Sequence, residues 1–458
     1  MELPDGPKTL PLRQLLQWVF QPLAYLDKNA ERYGDCFTAR FGSLPPFIII
    51  SNPQLTEAIF AAPADQFDTG RSNTILRPTL GENSLLLLDG ERHQRQRQLL
   101  MPPFHGERMR AYSQLIAQIT EEITQTWKQG TTFSLRPQMQ EISLKVILQA
   151  VFGLHEGQRY DELKQRLNTF LEATTSPLGS TMAFFPILQK DFGAWSPGGR
   201  FVRQKQKIDD LLYSEIRDRR AQPDPSRTDI LSLLLAARDE EGQPMTEVEL
   251  RDELITLLLA GHETTATALT WAVYWIGQNP TVKEKLLAEL NAWSENPDLS
   301  LIARLPYLNA VCAEALRLYP VAILVSPRIV KEHFNALDYS FDAGTMLAPC
   351  IYLTHQRKDL YPEPRQFRPE RFLERQFSPS EYFPFGGSNR RCIGAAFAMM
   401  EMKLVLVTLL TQFQFANMDK RPVQPTRRGV TMAPAGGVQV MISKRFAKRE
   451  RTEQTVPI

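Results

Sequence analysis

One stretch limits the possible folds more than any other. Thr246 followed three residues later by Glu249 is the reciprocal pairing that starts a helix. Helical spacing then continues to Gln278 and stops short of Pro280. That is roughly 30 residues, or about 45–50 Å at 1.5 Å per residue. A helix of that length, apolar on most faces, has to cross the interior of a large body. In its middle sits Ala260-Gly261-His262-Glu263-Thr264-Thr265. A glycine and several polar side chains are costly in a buried helix. Threonine hydroxyls also bond back to the i−4 carbonyl and loosen the ladder. Function is a reason to keep them.

Around this helix the pattern from Arg92 to Leu290 is helical, with Pro/Gly-rich breaks at Ser176–Ser180 and Trp195–Gly199 and a polar stretch from Gln222 to Arg227. The N-terminal sixty residues are mixed. Cys36–Phe41 and Phe47–Ile50 read as strands of a hairpin, separated by the turn signal Ser43-Leu44-Pro45-Pro46. Pro53–Phe60 reads as a short helix opened by Ser51 or Asn52. Strand-like runs return after Pro320, at Ile323–Val330, Ala336–Phe341 and Val438–Ser443. No repeat or flexible linker appears. The expected class is mainly α with a smaller β-containing lobe, since strands and helices do not alternate as in a doubly wound sheet. The length of 458 residues alone suggests two or three domains.

A second informative segment is Phe385-Gly386-Gly387-Ser388-Asn389-Arg390-Arg391-Cys392-Ile393-Gly394. Its cysteine precedes a helical stretch, Ala395 to Gln412, and follows two arginines. A helix N-terminus and neighbouring cations both favour a thiolate, and a thiolate is a soft ligand that suits iron. A lone cysteine is also compatible with a small buried hydrophobe or a nucleophile. The other cysteines, Cys36, Cys312 and Cys350, give no C-x-x-C spacing, which argues against zinc or iron–sulfur ligation. So few cysteines in a long chain fit a reducing compartment.

Taken together these segments resemble the cytochrome P-450 family. Phe385, Arg390, Cys392 and Gly394 match its F-x-x-G-x-R-x-C-x-G loop. Ser388 stands where the family has its second glycine; serine tolerates a left-handed backbone poorly and Asn389 tolerates one well. Ala260 to Thr265 matches A-G-x-[ED]-T-[TS] throughout. Glu314-Ala315-Leu316-Arg317 and Phe367-Arg368-Pro369-Glu370-Arg371-Phe372 resemble the family's E-x-x-R and P-E-R-F elements. The resemblance runs from the His93 helix to Cys392, in family order.

The resemblance implies one triangular domain over residues 1–458, with a long central helix over the haem. Its β-containing lobe would take about 1–60 with parts of 320–350 and 425–445, and its helical body about 90–320 and 385–415. Haem b would be bound with Cys392 as the axial ligand to iron. Phe385, Gly394, Ala260 and Gly261 would line it, Gly261 leaving room for a diatomic ligand. His93, Arg97, Arg328 and Arg390 would face the propionates. Thr264 would be the hydroxyl and Glu263 the acid of a proton relay to bound O2. His262 is read as packing or a surface hydrogen bond rather than a second iron ligand. Glu314, Arg317 and Arg371 would form a buried triad under the cysteine loop.

The implied activity is a haem-thiolate monooxygenase. A peroxygenase or rearranging enzyme needing no electron partner, and a non-catalytic haem sensor, are the alternatives; no histidine is placed to make Cys392 a hydrolase nucleophile. Substrate-facing stretches would be Thr69–Leu88, Phe170–Phe192 (with Met182, Phe184 and Phe185), Leu254–Thr264, Val321–Ser326 and Val430–Ala433. They are apolar-rich, which suggests a long-chain fatty acid or terpenoid, with Arg71 and Arg77 as candidates for a carboxylate. Without a flavin segment or dinucleotide fingerprint, electrons would come from a ferredoxin or flavodoxin docking on Arg92, Arg95, Arg108, Arg110 and Arg391. A net charge of +2 gives no case for nucleic acid, and the basic Lys444–Arg451 tail reads as frayed. The N-terminus lacks a basic start and apolar stretch, and purely apolar runs reach only about four residues against the roughly 20 of a membrane span. The chain starts where the anchor of membrane-bound relatives would have ended. A cytoplasmic monomer with no membrane span is expected.

Overall fold

Three local signals in the N-terminal region act as their chemistry requires. In the computed structural model, which describes residues 3–42, 44–106, 108–175, 179, 189–294 and 299–446, Asn52 caps the helix Pro53–Ala61 by accepting from the Leu55 N–H at 3.0 Å. Strands β1 (Cys36–Ala39) and β2 (Phe47–Ile50) form the antiparallel hairpin, with Cys36 opposite Ile50. Both are buried along nearly their whole length. That is possible because each face of the sheet meets its own apolar cluster. One gathers Trp18, Tyr25, Phe37, Ile49 and Tyr352. The other gathers Ile48, Ile50, Phe67, Phe334 and Phe341.

The sheet is completed from distant sequence. β3 (Phe67–Asp68), β5 (Arg328–Val330) and β8 (Met346–Pro349) give the order β1-β2-β8-β5-β3, β2 and β8 being parallel and the rest antiparallel. β6 (His333–Ala336) and β7 (Tyr339–Asp342) form a separate hairpin. β4 (Thr132–Ser134) joins a three-stranded sheet with β9 (Phe413–Asn417) and β12 (Gln439–Arg445), while β10 (Pro425–Arg428) and β11 (Thr431–Pro434) make a two-stranded hairpin. The 425–445 segment is thus divided. Met432 packs with the N-terminal sheet, whereas Val438, Val440 and Ile442 pack into the helical body.

The central helix spans Glu247–Gln278, 32 residues, and the reciprocal Thr246–Glu249 cap is present. Burying a helix on most faces removes apolar surface at about 25 cal/mol per Å², and Leu254, Leu258, Leu269 and Trp271 are all essentially inaccessible. It packs along the helix Leu135–Phe152 and crosses Ala395–Gln412. Gly261 sits at the first of these contacts: a Cβ there would stand 2.6 Å from Ile147 Cδ1. Its missing side chain therefore serves helix–helix approach, not only the room for a diatomic ligand that the sequence suggests.

Ala395–Gln412 is long and apolar enough to cross a membrane, but 61% of it is buried inside the fold. The Trp195–Gly199 break is the start of a helix: Ser196 caps Pro197–Ala221 by accepting from the Gly199 N–H at 3.1 Å. Met182, Phe184 and Phe185 of the expected lid lie outside the described residues, as does the basic tail beyond Phe446.

Candidate functional site

A cavity of about 1300 Å³ lies between the middle of the central helix and the loop that ends at Gly394. Ala260, Gly261 and Thr264 line one side, and Phe385, Cys392 and Gly394 line the other. His93, Arg97, Arg328 and Arg390 open into the same space. Each of the five apolar stretches contributes to the wall, through Ile75, Leu171, Leu257, Val325 and Val430. Phe192, by contrast, is 53% exposed.

The Cys392 N–H donates to the Phe385 carbonyl at 2.9 Å, closing the loop on itself. Ser388 adopts φ +60°. The serine itself, not Asn389, takes the left-handed conformation, at a local cost of about 1–2 kcal/mol for a residue with a Cβ. The loop thus keeps the backbone path of a glycine while carrying a side chain. Cys392 is exposed to the cavity, yet desolvation by the protein around the cavity pushes its thiol up, and the Gly394 N–H and the Arg97 and Arg391 charges oppose this without cancelling it. This corrects the expectation from helix dipole and cations alone: desolvation outweighs both in the free thiol. Coordination to a metal would expel the proton.

The cations around the cavity are not equivalent. Arg390 Nη2 donates to Asp89 Oδ1 at 2.6 Å, and Asp89 also accepts from the Thr69 and Gly70 N–H groups at 2.8 Å. Arg328 is buried over the Phe60 and Phe67 rings and donates to the Ile59 carbonyl at 2.6 Å. Burial and the Arg390 charge push its pKa down to about 10. Burial also lowers that of Arg97. Among the described residues no carboxylate lies within ion-pairing distance of Arg97 or Arg328. His93 is buried, and burial with the Arg390 and Arg97 charges brings its pKa down to about 4. It therefore enters as a neutral ring that can donate a hydrogen bond, not as a fourth cation.

Desolvated arginines without counter-ions are costly, and two propionates are anions that would repay them. Among the described residues no group of three or more His, Cys, Asp or Glu gathers to hold a metal ion. A single sulfur in a wide cleft is the donor set of a metal already held by a macrocycle. The residues present fit haem.

Opposite the sulfur, the Thr264 hydroxyl donates to the Ala260 carbonyl at 2.5 Å. This is the back-bond expected of a helical threonine, and it leaves the oxygen able to accept from the cavity side. Glu263 behaves differently from the sequence reading. Its carboxylate is buried, Oε1 bound by Arg136 Nη2 and Oε2 by Gln140 Nε2 at 2.8 Å. It is held by the neighbouring helix Leu135–Phe152, not poised free beside Thr264. His262 is also buried, and burial lowers its pKa to about 4.

Glu314, Arg317 and Arg371 meet away from the cavity. Arg317 Nε and Nη2 reach the two Glu314 oxygens at 2.6 and 2.8 Å, and Arg371 Nε reaches Oε1 at 3.1 Å. The Arg368 N–H shares that oxygen at 2.8 Å. Arg317 also binds the carbonyls of His355 and Gln366, at 2.7 and 3.2 Å. The cluster thus fastens the aperiodic segment before the cysteine loop to the helix Pro306–Leu318.

Three arginines singled out in the sequence are otherwise engaged. Arg95 pairs with Asp239 at 2.6 Å and Glu249 at 3.0 Å. Arg71 and Arg77 are exposed, beside Asp68 and Glu82, and do not line the cavity. Sequence reasoning missed Asp89, Arg136 and Gln140. Only Asp89, directly before the helix Gly90–Leu100, stood in a position that attracts notice.

Comparison with known proteins agrees with this geometry. The family model described as cytochrome P-450 matches residues 4–440. Cytochrome P-450 135B1 of Mycobacterium tuberculosis is 36% identical over 443 residues, covering 96% of this chain and 92% of that protein. Cytochrome P-450 138 of the same organism is 33% identical over 441 residues, with coverages of 96% and 95%. Among solved structures, retinoic acid-bound cyanobacterial CYP120A1 superposes with a TM-score of 0.83 at 26% identity, covering 97% of this chain and 100% of that one. The cytochrome P-450DA haem domain superposes with a TM-score of 0.82 at 21% identity, covering 98% of each, and shows the fold alone.

Proposed function

The chain belongs to the cytochrome P-450 family and is a haem-thiolate monooxygenase; from that premise we propose that it oxidises a sizeable apolar molecule of the long-chain fatty acid or terpenoid class. The observation that carries this is the cavity wall, where Ile75, Leu76, Leu257, Val325 and Val430 leave few polar groups to orient a small hydrophilic substrate. The similar CYP120A1 is described with retinoic acid bound, an apolar acid of the proposed kind.

Haem b held through the Cys392 sulfur supplies the oxygen-activating chemistry: one atom of O2 enters the substrate and the other leaves as water, using two electrons and two protons from outside. Arg97, Arg328 and Arg390, with neutral His93, would hold its propionates. Thr264 would keep a hydroxyl at the distal side, accepting and passing a proton through Oγ1 while Ala260 O orients it. Glu263 would resupply that proton; to do so its carboxylate has to leave Arg136. Thr264→Ala should lower product formed per electron consumed by about 10²-fold, the low end for a positioned proton-transfer group. Product yield against reductant consumed, measured with an apolar acid or terpenoid, checks this, and an unaltered yield would remove the relay from Thr264.

Electrons would arrive from an acidic ferredoxin or flavodoxin on the cysteine side. Arg391 flanks Cys392, and Arg108 and Arg110 open the helix Arg108–Thr124, which packs against Ala395–Gln412. Arg95 leaves this patch because its carboxylate partners neutralise it. Arg110→Glu should slow reduction by an acidic ferredoxin several-fold at low salt, an effect that fades at high salt. Stopped-flow reduction indifferent to this change would exclude the patch.

A further inference from the structure

Among the described residues, four cations line the cavity outside the propionate group: Arg200, Lys205, Arg391 and Arg428. Arg200 is exposed on the first turn of its helix, and Arg391 is exposed beside the cysteine. Lys205 is spent on Asp209 at 2.8 Å. Arg428 is different. It is the last residue of β10, paired with Thr431 across a turn in which Gly429 takes φ +61°. The Thr431 hydroxyl donates to the Arg428 carbonyl at 2.9 Å, and the Met432 N–H donates to the Val321 carbonyl at 2.8 Å. The hairpin end is therefore fastened to another part of the cavity wall.

Adjacent strand residues point to opposite faces, and here the two arginines part company. Arg427 turns away from the cavity, lies over the Trp18 ring and donates to the Trp18 carbonyl at 2.9 Å. Arg428 lines the cavity, half-buried, and among the described residues no carboxylate lies within ion-pairing distance of it. Glu263 is the acid whose charge it feels, but both oxygens of Glu263 are taken by Arg136 and Gln140. Burial lowers the Arg428 pKa, and the like charge of Arg136 adds to this. A guanidinium left partly desolvated and unpaired in an apolar wall is an unfavourable arrangement that a bound anion relieves. Its planar fork matches a carboxylate in two parallel hydrogen bonds.

We propose that Arg428 binds the carboxylate of an elongated apolar acid and so selects acids over the corresponding esters and alcohols. This deepens the apolar-substrate reading and rests on it. It also moves the acid anchor from Arg71 and Arg77, which stand outside the cavity, to the β10–β11 hairpin.

The test uses the holoenzyme, titrated with hexadecanoic acid and retinoic acid and with their methyl esters, and read by the substrate-induced shift of the haem spectrum. The wild type should bind an acid about 10- to 100-fold more tightly than its ester, the range of one charged bidentate contact. Arg428→Gln should abolish that preference while leaving ester binding within about 2-fold. Arg428→Lys should keep part of it, because it keeps the charge but not the fork. Equal binding of acid and ester by the wild type, or an undiminished preference in Arg428→Gln, would overturn the anchor and leave the apolar-substrate reading standing. No shift with any of the four compounds would take down both. Should Arg428→Gln not fold, the wild-type ratio and Arg428→Lys decide alone.

Discussion

Cys392→Ser should move the Soret band of the ferrous carbon monoxide complex to the position of a haem with a neutral axial ligand and cut oxygen-dependent turnover by at least about 10³-fold, or about 4 kcal/mol of barrier. The argument rests on the thiol's surroundings. Its sulfur faces the cavity, at the end of a loop closed by the Cys392 N–H to Phe385 carbonyl bond. Although the Cys392 side chain is open to the cavity, desolvation by the surrounding protein leaves the free thiol reluctant to ionise, so a bound metal would be what stabilises the thiolate. Binding therefore releases a proton, and haem affinity should weaken as pH falls. Serine has the size but not the softness or the acidity to replace it, and electron donation toward the O–O bond is lost with the sulfur. Cys392→His is the companion variant, because a neutral nitrogen can retain the cofactor where serine loses it. A thiolate-type carbon monoxide spectrum in either variant would contradict the assignment.

Glu314→Gln should destabilise the protein by about 3–5 kcal/mol, the usual cost of removing one member of a buried ionic cluster. Glu314 and Arg317 are wholly inaccessible and Arg371 is 4% exposed. Without the carboxylate, two guanidinium groups remain in the interior with one counter-ion missing. The Arg368 N–H also loses a charged acceptor. Against a total stability of about 5–15 kcal/mol, the loss should appear as a large drop in denaturation midpoint and poor haem incorporation. The site lies away from the cavity, so any protein that does fold should keep the wild-type carbon monoxide spectrum. An unfolding free energy within about 0.5 kcal/mol of wild type would show that the triad is not structural.

Much of the framework could be read from neighbouring residues. The Thr246–Glu249 pairing and Pro280 bracket the central helix, and Asn52 caps the helix that follows it. The turn between β1 and β2 marks the hairpin. These signals work because caps, turns and periodicity act over a few residues. The same holds for the loop around Cys392, whose residues meet through a bond seven positions long.

Apart from the Glu314, Arg317 and Arg371 cluster, ionic partnerships were not legible in that way. Arg390 meets Asp89 across 301 residues, Arg136 meets Glu263 across 127, and Arg95 meets Asp239 across 144. An arginine in a string of letters carries its charge but not its counter-ion. Thus Arg95 reads as a docking cation and is a neutralised strut, while Glu263 reads as the acid of a proton relay and is held by Arg136 and Gln140. Arg428 gave no signal at all, since its meaning depends on which strand face meets the cavity and on which acids are already engaged.

By itself, then, the order of residues determined the long buried helix, the loop closed on Cys392 and the local Glu314–Arg317 pair, because each is specified by residues close together in the chain. Tertiary structure alone decided which charges remain free to act on a ligand. Electrostatic pairing falls off with distance through space and depends on burial, not on position along the chain.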